Sequence, residues 1–233
     1  MRAREILDLA VCAGYIHHNP INRLSRIYAA PVVTPMPAIR WQDLGDAMNV
    51  IAAAPRRMQV IFLWSLCSML RPGETAKIKW AWIENDVLTI PAQEMKKGRP
   101  HRVPLTPELL YLLDEARTVS RHPRSGYVFS GTGGSKPMSS QTLAKYLHGT
   151  ELKGRLVAHG LRSIARCWMA DHSYPFEASE SCLSHISGSA VSRAYQRSDY
   201  LDARRIIMRD WCAFVFDCAR KAGIDVANPS APT

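Results

Sequence analysis

Three features of the 233-residue chain predict a mainly helical α+β domain with one small antiparallel sheet. Apolar residues recur at helical spacing through most of its length. Between residues 80 and 105 that period gives way to short runs rich in Val, Leu and Ile, Val87-Leu-Thr-Ile-Pro91 and Arg102-Val-Pro-Leu105, which read as strands. The hydrophobic fraction, 47%, is that of a globular chain and argues against extensive disorder. The length suits one sizeable domain, or one domain with a fragment of another.

In chain order, residues 4–13 carry a helical pattern in which Ile6, Leu7, Leu9, Ala10 and Val11 crowd one side. Gly14 and then His18-Asn19-Pro20 end it. The stretch 29–37 holds Pro31, Pro35 and Pro37 and reads as an extended linker, because each proline fixes its own backbone and discourages helix in the residue before it. A short helix before such a linker predicts the tail of another domain, and so a chain that starts inside a longer protein. Trp41-Gln42-Asp43-Leu44 opens a helix running to about Ala54, and an almost wholly apolar helix follows from about Arg57 to Leu70. Arg71-Pro72-Gly73-Glu74 breaks it, with Pro72 placed to start the next. The two strands are joined by the basic segment Met95-Lys-Lys-Gly-Arg-Pro100, and Trp80 to Ile83 is a candidate third strand. Helices are then expected over about 107–117, 140–148, 160–171, 188–195 and 201–220, around a Gly-Ser-rich loop, Ser130-Gly-Thr-Gly-Gly-Ser135. The end, 228–233, is expected to fray.

Charge narrows the partners. Thirty Lys and Arg against 20 Asp and Glu leave a formal +10, with a pI near 9.6. Such an excess suits a polyanion, because each cation set against a phosphate releases condensed counterions, although a generally basic protein has the same balance. The six cysteines, Cys12, Cys67, Cys167, Cys182, Cys212 and Cys218, show no CxxC pair and no metal-ligand spacing. They read as reduced, buried thiols of a cytosolic protein. Met1-Arg-Ala-Arg-Glu lacks the apolar core of a signal peptide. The longest apolar stretch, Val60 to Leu70, is broken by Ser65 and Ser68 and is too short to span a bilayer. No P-loop or other nucleotide motif is visible.

Several residues invite chemistry, each beside a plainer alternative. Arg71 sits at a fixed break after an apolar helix, either aimed into a cleft or capping that helix's C-terminus. Lys96 lies in the hairpin connection, either solvated or a mobile ammonium for a phosphodiester. In His159-Gly-Leu-Arg162 the histidine and arginine are three apart and share one helix face, with Leu161, Ile164, Ala165 and Trp168 on the packing side. One of the pair moves protons near neutral pH and the other offers a bidentate fork, although a histidine at a helix start is also satisfied locally. His185 ends an apolar segment, and Tyr195 follows ten residues later in Ala194-Tyr195-Gln196-Arg197.

As an ordered set these residues closely resemble the tyrosine recombinases, most of all the integrases of phages and genomic islands. The resemblance runs from about Trp41 to Phe216 and fills all six catalytic positions of the family's pattern: Arg71, Lys96, His159, Arg162, His185 and Tyr195. It implies residues 1–37 as the end of a core-binding domain plus linker, 38–216 as the catalytic domain, and 217–233 as a tail either exchanged between subunits or frayed. It also implies site-specific recombination through a 3′-phosphotyrosine at Tyr195, with His159 as base, Lys96 as acid, the arginines and His185 on the phosphate, and Glu74 in support. No metal, ATP or other cofactor is implied. The expected partner is double-stranded DNA, bound by a homo-oligomer (a tetramer on DNA, with a monomer open for this chain alone) and helped by directionality or DNA-bending factors in the cytoplasm, away from any membrane. Lys97, Arg99, Lys136, Lys145, Lys153 and Arg155 are candidates for phosphate contacts. A type IB topoisomerase and a degenerate DNA-binding domain are the alternatives. The chain departs from the family at Ser184, where glycine is usual, and at Ser163 and Ile164, where histidine or threonine is commoner.

Overall fold

Nine consecutive buried residues, Val60 to Ser68, make one helix the axis of the fold. A helix that is buried on all sides needs partners all round it. The computed structural model describes residues 3–22, 24, 28, 36–96, 98–185 and 199–226. The chain divides into two units, Met1–Pro35 and Met36–Thr233.

In the first unit, helix α1 (Ala3–Cys12) carries the expected apolar stripe but buries none of its residues, leaving Ile6 and Leu9 exposed. Asn19 Nδ2 ties the following turn back to it, donating to Asp8 Oδ1 at 2.7 Å and to the Arg4 carbonyl at 3.1 Å.

The second unit opens with a 3-10 turn, Trp41–Asp43, leading into α2 (Leu44–Ala52). The axial helix is α3 (Arg56–Ser68), and α4 (Pro72–Lys77) follows with Pro72 in its first turn, as the sequence predicts. Strands β1 (Ile83–Glu84), β2 (Val87–Ile90) and β3 (His101–Pro104) form one antiparallel sheet in the order β1-β2-β3. Leu88 pairs with Val103 and Ile90 with His101, so one face of the sheet is buried against the core. The remaining helices are α5 (Pro107–Thr118), α6 (Thr142–His148), α7 (Gly160–Asp171), α8 (Phe176–Cys182) and α9 (Leu201–Lys221). Helix α9 packs on α2, α3, α5, α8 and β3, and Trp211, Val215, Phe216 and Ala219 are fully buried in this chain's own core. It runs unbroken past residue 216. An aromatic group built on Trp168 joins α7 to α9: His172 and Tyr174 stack on its ring, and Trp211 lies 5.2 Å away, centroid to centroid.

Some expectations need correction. Trp80–Trp82 is a 3-10 turn, and the third strand is only Ile83–Glu84. Helix α8 was not expected, because Phe176-Glu-Ala-Ser-Glu-Ser-Cys182 has no clear apolar period and only Ala178, Ser179 and Cys182 are buried. All six cysteines are free, but Cys12 and Cys167 are exposed rather than buried. The helix expected over 188–195 lies outside the described residues.

Candidate active site

The site is built where α3 and α8 end. Helix α3 terminates on Met69, which has φ 55, in the left-handed region. The last carbonyls of a helix lack partners within it. Here side chains from other helices supply donors: Trp211 Nε1 to the Leu66 carbonyl at 3.0 Å, Cys212 Sγ to the Cys67 carbonyl at 3.9 Å, and Arg162 Nη1 to the Met69 carbonyl. The turn then presents Arg71 at the start of α4. Glu74 closes a capping box there, accepting from the Arg71 backbone N–H at 2.9 Å and from its guanidinium at 2.8 Å.

Helix α8 ends in a Schellman turn: the Ser184 N–H donates to the Ser181 carbonyl at 3.0 Å and the His185 N–H to the Glu180 carbonyl at 2.9 Å. That motif puts Ser184 at φ 52, a conformation that favours glycine. The departure from the usual family residue therefore falls on a position where the backbone itself prefers glycine.

Both arginines reach this second turn. Arg162 Nη2 donates to the Leu183 carbonyl at 2.5 Å and lies 3.2 Å from His185 Nε2, while Arg71 Nη2 donates to the Ser184 carbonyl at 3.4 Å. His185 Nδ1 is 2.9 Å from Glu180 Oε2, and Glu180 Oε1 accepts from Arg166 Nε at 2.6 Å. His159 is the N-cap of α7, exposed and in electrostatic reach of Arg162, Arg71, His185 and Glu74. The glycine after it is required: a Cβ at Gly160 would stand 2.4 Å from the Pro37 carbonyl oxygen. The chain entering the second unit thus lies against the start of α7, where His159 and Arg162 sit.

Electrostatics favour an anion here. Burial, with Arg71 adding repulsion, pulls the Arg162 guanidinium down to about 10, which leaves it charged at neutral pH. Burial and then the two arginines hold His159 below its ordinary value, so its imidazole is a neutral acceptor near pH 7. For His185, burial lowers the value, Glu180 pulls it back up, and Arg162 and Arg71 lower it again; the result is below the ordinary one.

The structure thus joins Arg71, Arg162 and His185 directly, with His159 beside them and Glu74 on Arg71. Lys96 is exposed in the turn between Met95 and Gly98, within the β2–β3 connection. Tyr195 and Lys97 lie outside the described residues. Arg99, Lys136, Lys145, Lys153 and Arg155 are exposed. Sequence reasoning missed four residues. Glu180 and Arg166 buttress His185. His101, buried on β3, is kept well below its ordinary value by burial and by Arg204, Arg162 and Arg71. Arg204, buried on α9, donates to the Asp199 carbonyl at 3.3 Å and to the Arg102 carbonyl, while Arg102 Nη1 pairs with Asp199 Oδ2 at 3.1 Å. The described chain resumes at Asp199, four residues after Tyr195, and is fastened there to β3. Among the described residues no group of three or more His, Cys, Asp or Glu is placed to hold a metal ion, and no helix is long and apolar enough to cross a membrane.

Comparison with known proteins adds an independent line. The model of the phage integrase family matches residues 39–201. Over 219 residues the chain is 34% identical to prophage integrase IntA of Escherichia coli K12, covering 92% of this chain and 52% of that protein. The integrase of Shigella phage Sf6 is 29% identical over 154 residues, covering 65% of this chain and 40% of that protein. The chain thus spans about half the length of the curated relatives it matches. Among solved structures, a lambda integrase dimer bound to a COC' core site superimposes with a TM-score of 0.61 at 17% identity, covering 84% of this chain and 70% of that one. A lambda integrase tetramer bound to a Holliday junction gives 0.61 at 19%, covering 84% of this chain and 57% of that one.

Proposed function

Since the chain belongs to the phage integrase family, we propose that it cuts and rejoins DNA strands by site-specific recombination, with Tyr195 as nucleophile. The observation that carries the proposal is the convergence of Arg71, Arg162 and His185 on one turn, with His159 alongside, a cluster of cationic and hydrogen-bonding groups suited to a phosphodiester. Arg71 and Arg162 bind the non-bridging oxygens, where guanidinium forks suit the geometry and offset the charge that shifts in the transition state. His185 donates to the same phosphate. A phenol with an ordinary pKa of about 10 is a weak nucleophile at neutral pH, so it needs a base. His159, neutral there, takes the proton as the tyrosine oxygen bonds to phosphorus. The bond from phosphorus to the 5′-oxygen breaks, and Lys96 gives that oxygen a proton. The product is a 3′-phosphotyrosyl link and a free 5′-hydroxyl. Because one phosphodiester is exchanged for another, the reverse attack rejoins the strand without ATP, and the guanidinium groups fill the electrostatic role a metal would otherwise take.

The same reading makes double-stranded DNA the partner, and it puts residues 1–37 at the end of a clamping domain that lies ahead of the catalytic domain. On DNA the protein acts as a homo-oligomer in the cytoplasm. The test is a nicked duplex that traps the covalent intermediate, drawn from a random-sequence pool and resolved on a denaturing protein gel. Wild type should give a nuclease-sensitive shifted band, and Tyr195→Phe should give none while still binding DNA. An adduct that persists in Tyr195→Phe overturns the assignment. Relaxation of supercoiled plasmid without site preference would favour a topoisomerase instead.

A further inference from the structure

Glu180 stands behind His185 in two ways at once. Its carbonyl accepts the His185 backbone N–H at 2.9 Å, and its carboxylate oxygen Oε2 lies 2.9 Å from the His185 ring at Nδ1. The other carboxylate oxygen is occupied by Arg166 Nε at 2.6 Å, and the Arg166 guanidinium in turn lies over the Phe176 ring, 5.2 Å from its centroid. Glu180 is therefore fixed from three sides and has little freedom to leave the imidazole.

The partners also fix where the protons are. Arg162 Nη2 is 3.2 Å from His185 Nε2, and a guanidinium has donors only, so Nε2 must present its lone pair. The proton of the neutral ring is then on Nδ1, donated to Glu180. A non-bridging phosphate oxygen asks the opposite of Nε2, because it is an acceptor and needs a donor. Once the Arg162 N–H that faces Nε2 is given to a phosphate instead, Nε2 either meets a phosphate oxygen lone pair to lone pair or gains a proton.

We propose that Glu180 is the positioning residue that makes His185 take up a proton as the site engages DNA phosphate. In the DNA-free protein it holds Nδ1–H. When Nε2 turns from Arg162 to a non-bridging oxygen, a solvent proton adds to Nε2, and the imidazolium is held between the Glu180 carboxylate and the phosphate. The proton is released when the phosphate leaves. Among the described residues, the charged and titratable groups around the ring are Arg162, Arg166 and His159 on and before α7, Arg71 and Glu74 at the start of α4, and Glu180 itself. The arginines oppose the extra charge, and Glu180 accepts from the ring directly. The inference rests on the phosphate site proposed above and adds to it a proton-linked step with a defined residue behind it.

Two measurements on wild type and Glu180→Gln decide it. Glutamine keeps the shape and can still accept one hydrogen bond, and matching thermal midpoints would show that the fold is intact. In the first measurement, 15N-labelled histidine spectra of the DNA-free protein should show His185 as the Nδ1–H tautomer, with its titration midpoint moved to lower pH in Glu180→Gln. The second is the rate of adduct formation on a nicked duplex against pH. The variant should match wild type near pH 6 and fall about tenfold behind it near pH 8, the scale of one charge-assisted hydrogen bond. In a His185→Gln background that pH-dependent difference should vanish, as a merely structural role for Glu180 would not. An Nε2–H tautomer, an unmoved midpoint or superimposable pH profiles would overturn the inference. Adduct that does not depend on Tyr195 would strike the functional reading alone, leaving the spectra to judge Glu180.

Discussion

Two helix ends meet at the candidate site, and they are held in opposite ways. Helices α3 and α8 both stop on a non-glycine residue in the left-handed region, Met69 at φ 55 and Ser184 at φ 52. Each is followed at once by residues of the site, Arg71 after one and His185 after the other. The end of α8 closes on itself, through the Schellman bonds to Ser181 and Glu180. The end of α3 depends on the far side of the chain: Trp211 and Cys212 satisfy the Leu66 and Cys67 carbonyls from 145 residues away. One side chain bridges the two, since Arg162 donates to the Met69 carbonyl on one side and the Leu183 carbonyl on the other. The local end keeps its shape by short-range bonds. The distant end exists only once α7 and α9 are packed, so half of the site is tied to the cooperative folding of the whole unit.

The largest effect is expected at Arg162. A lysine keeps the charge but cannot span both carbonyls and His185 together, because it lacks the planar fork. Arg162→Lys is expected to lower adduct formation by about two orders of magnitude. It should also cost about 2 kcal/mol of unfolding free energy, as a buried carbonyl loses a charged donor. Arg71→Lys supplies the contrast. Arg71 is half-buried and is paired locally with Glu74 three residues on, so its replacement should harm cleavage as much while moving stability by less than about 1 kcal/mol. Urea unfolding beside the nicked-duplex assay reads both quantities. Equal stability losses in the two variants would mean that Arg162 does not bridge the two ends.

That asymmetry also explains what the sequence revealed. Local signals drew notice to Arg71, His159 and Arg162: a helix broken before Pro72, a histidine at a helix start, and a three-residue spacing. Each left a plainer reading open, and the ordered resemblance to the tyrosine recombinases selected them together with Lys96, His185 and Tyr195. The sheet was legible because Val87-Leu-Thr-Ile and its partner have strand composition between turns. Glu180 was not, since a glutamate five residues before a histidine means nothing until a helix is known to end between them, and that helix has no apolar period to announce it. Arg204 and His101 were hidden for another reason. A buried arginine or histidine looks in sequence like an exposed one, and only packing against β3, α8 and α9 reveals that it sits under the site. The nature of Ser184 was half visible: the missing glycine could be noted, and the φ of 52 that makes it matter could not.

Acid should loosen the two ends together. His101 is buried within electrostatic reach of Arg71 and Arg162, and the fold holds it well below its ordinary 6.5. His159 and His185 are lowered as well. Below about pH 6.5 the unfolded chain binds protons that the folded chain refuses, so folding stability is full above that pH and declines as the pH falls. For His101 alone the slope approaches about 1.4 kcal/mol for each pH unit. Urea midpoints at pH 7.5, 6.5 and 5.5 should fall in that order, and His101→Asn should flatten the decline. A flat wild-type profile, or an unchanged slope in His101→Asn, would show that this histidine does not titrate with unfolding.

The smallest effect tests the local end by itself. At Ser184 the side chain is only part-buried, and its φ of 52 costs an L-residue about 1 kcal/mol or more against glycine. Glycine would gain that back but would lose more conformational freedom on folding, which offsets roughly 0.5–1 kcal/mol. Ser184→Gly is therefore expected to raise stability by up to about 1 kcal/mol, read as a higher urea midpoint at unchanged slope. The same substitution at Met69 offers no such gain, because that side chain is fully buried and its loss would leave a cavity under the site. Since the Schellman bonds are backbone bonds, Ser184→Gly should leave His185 where it is and keep adduct formation close to wild type. If it instead slows cleavage while stabilising the fold, then the serine side chain or the stiffness of this turn contributes to placing His185, and the end of α8 is less self-contained than its hydrogen bonds imply.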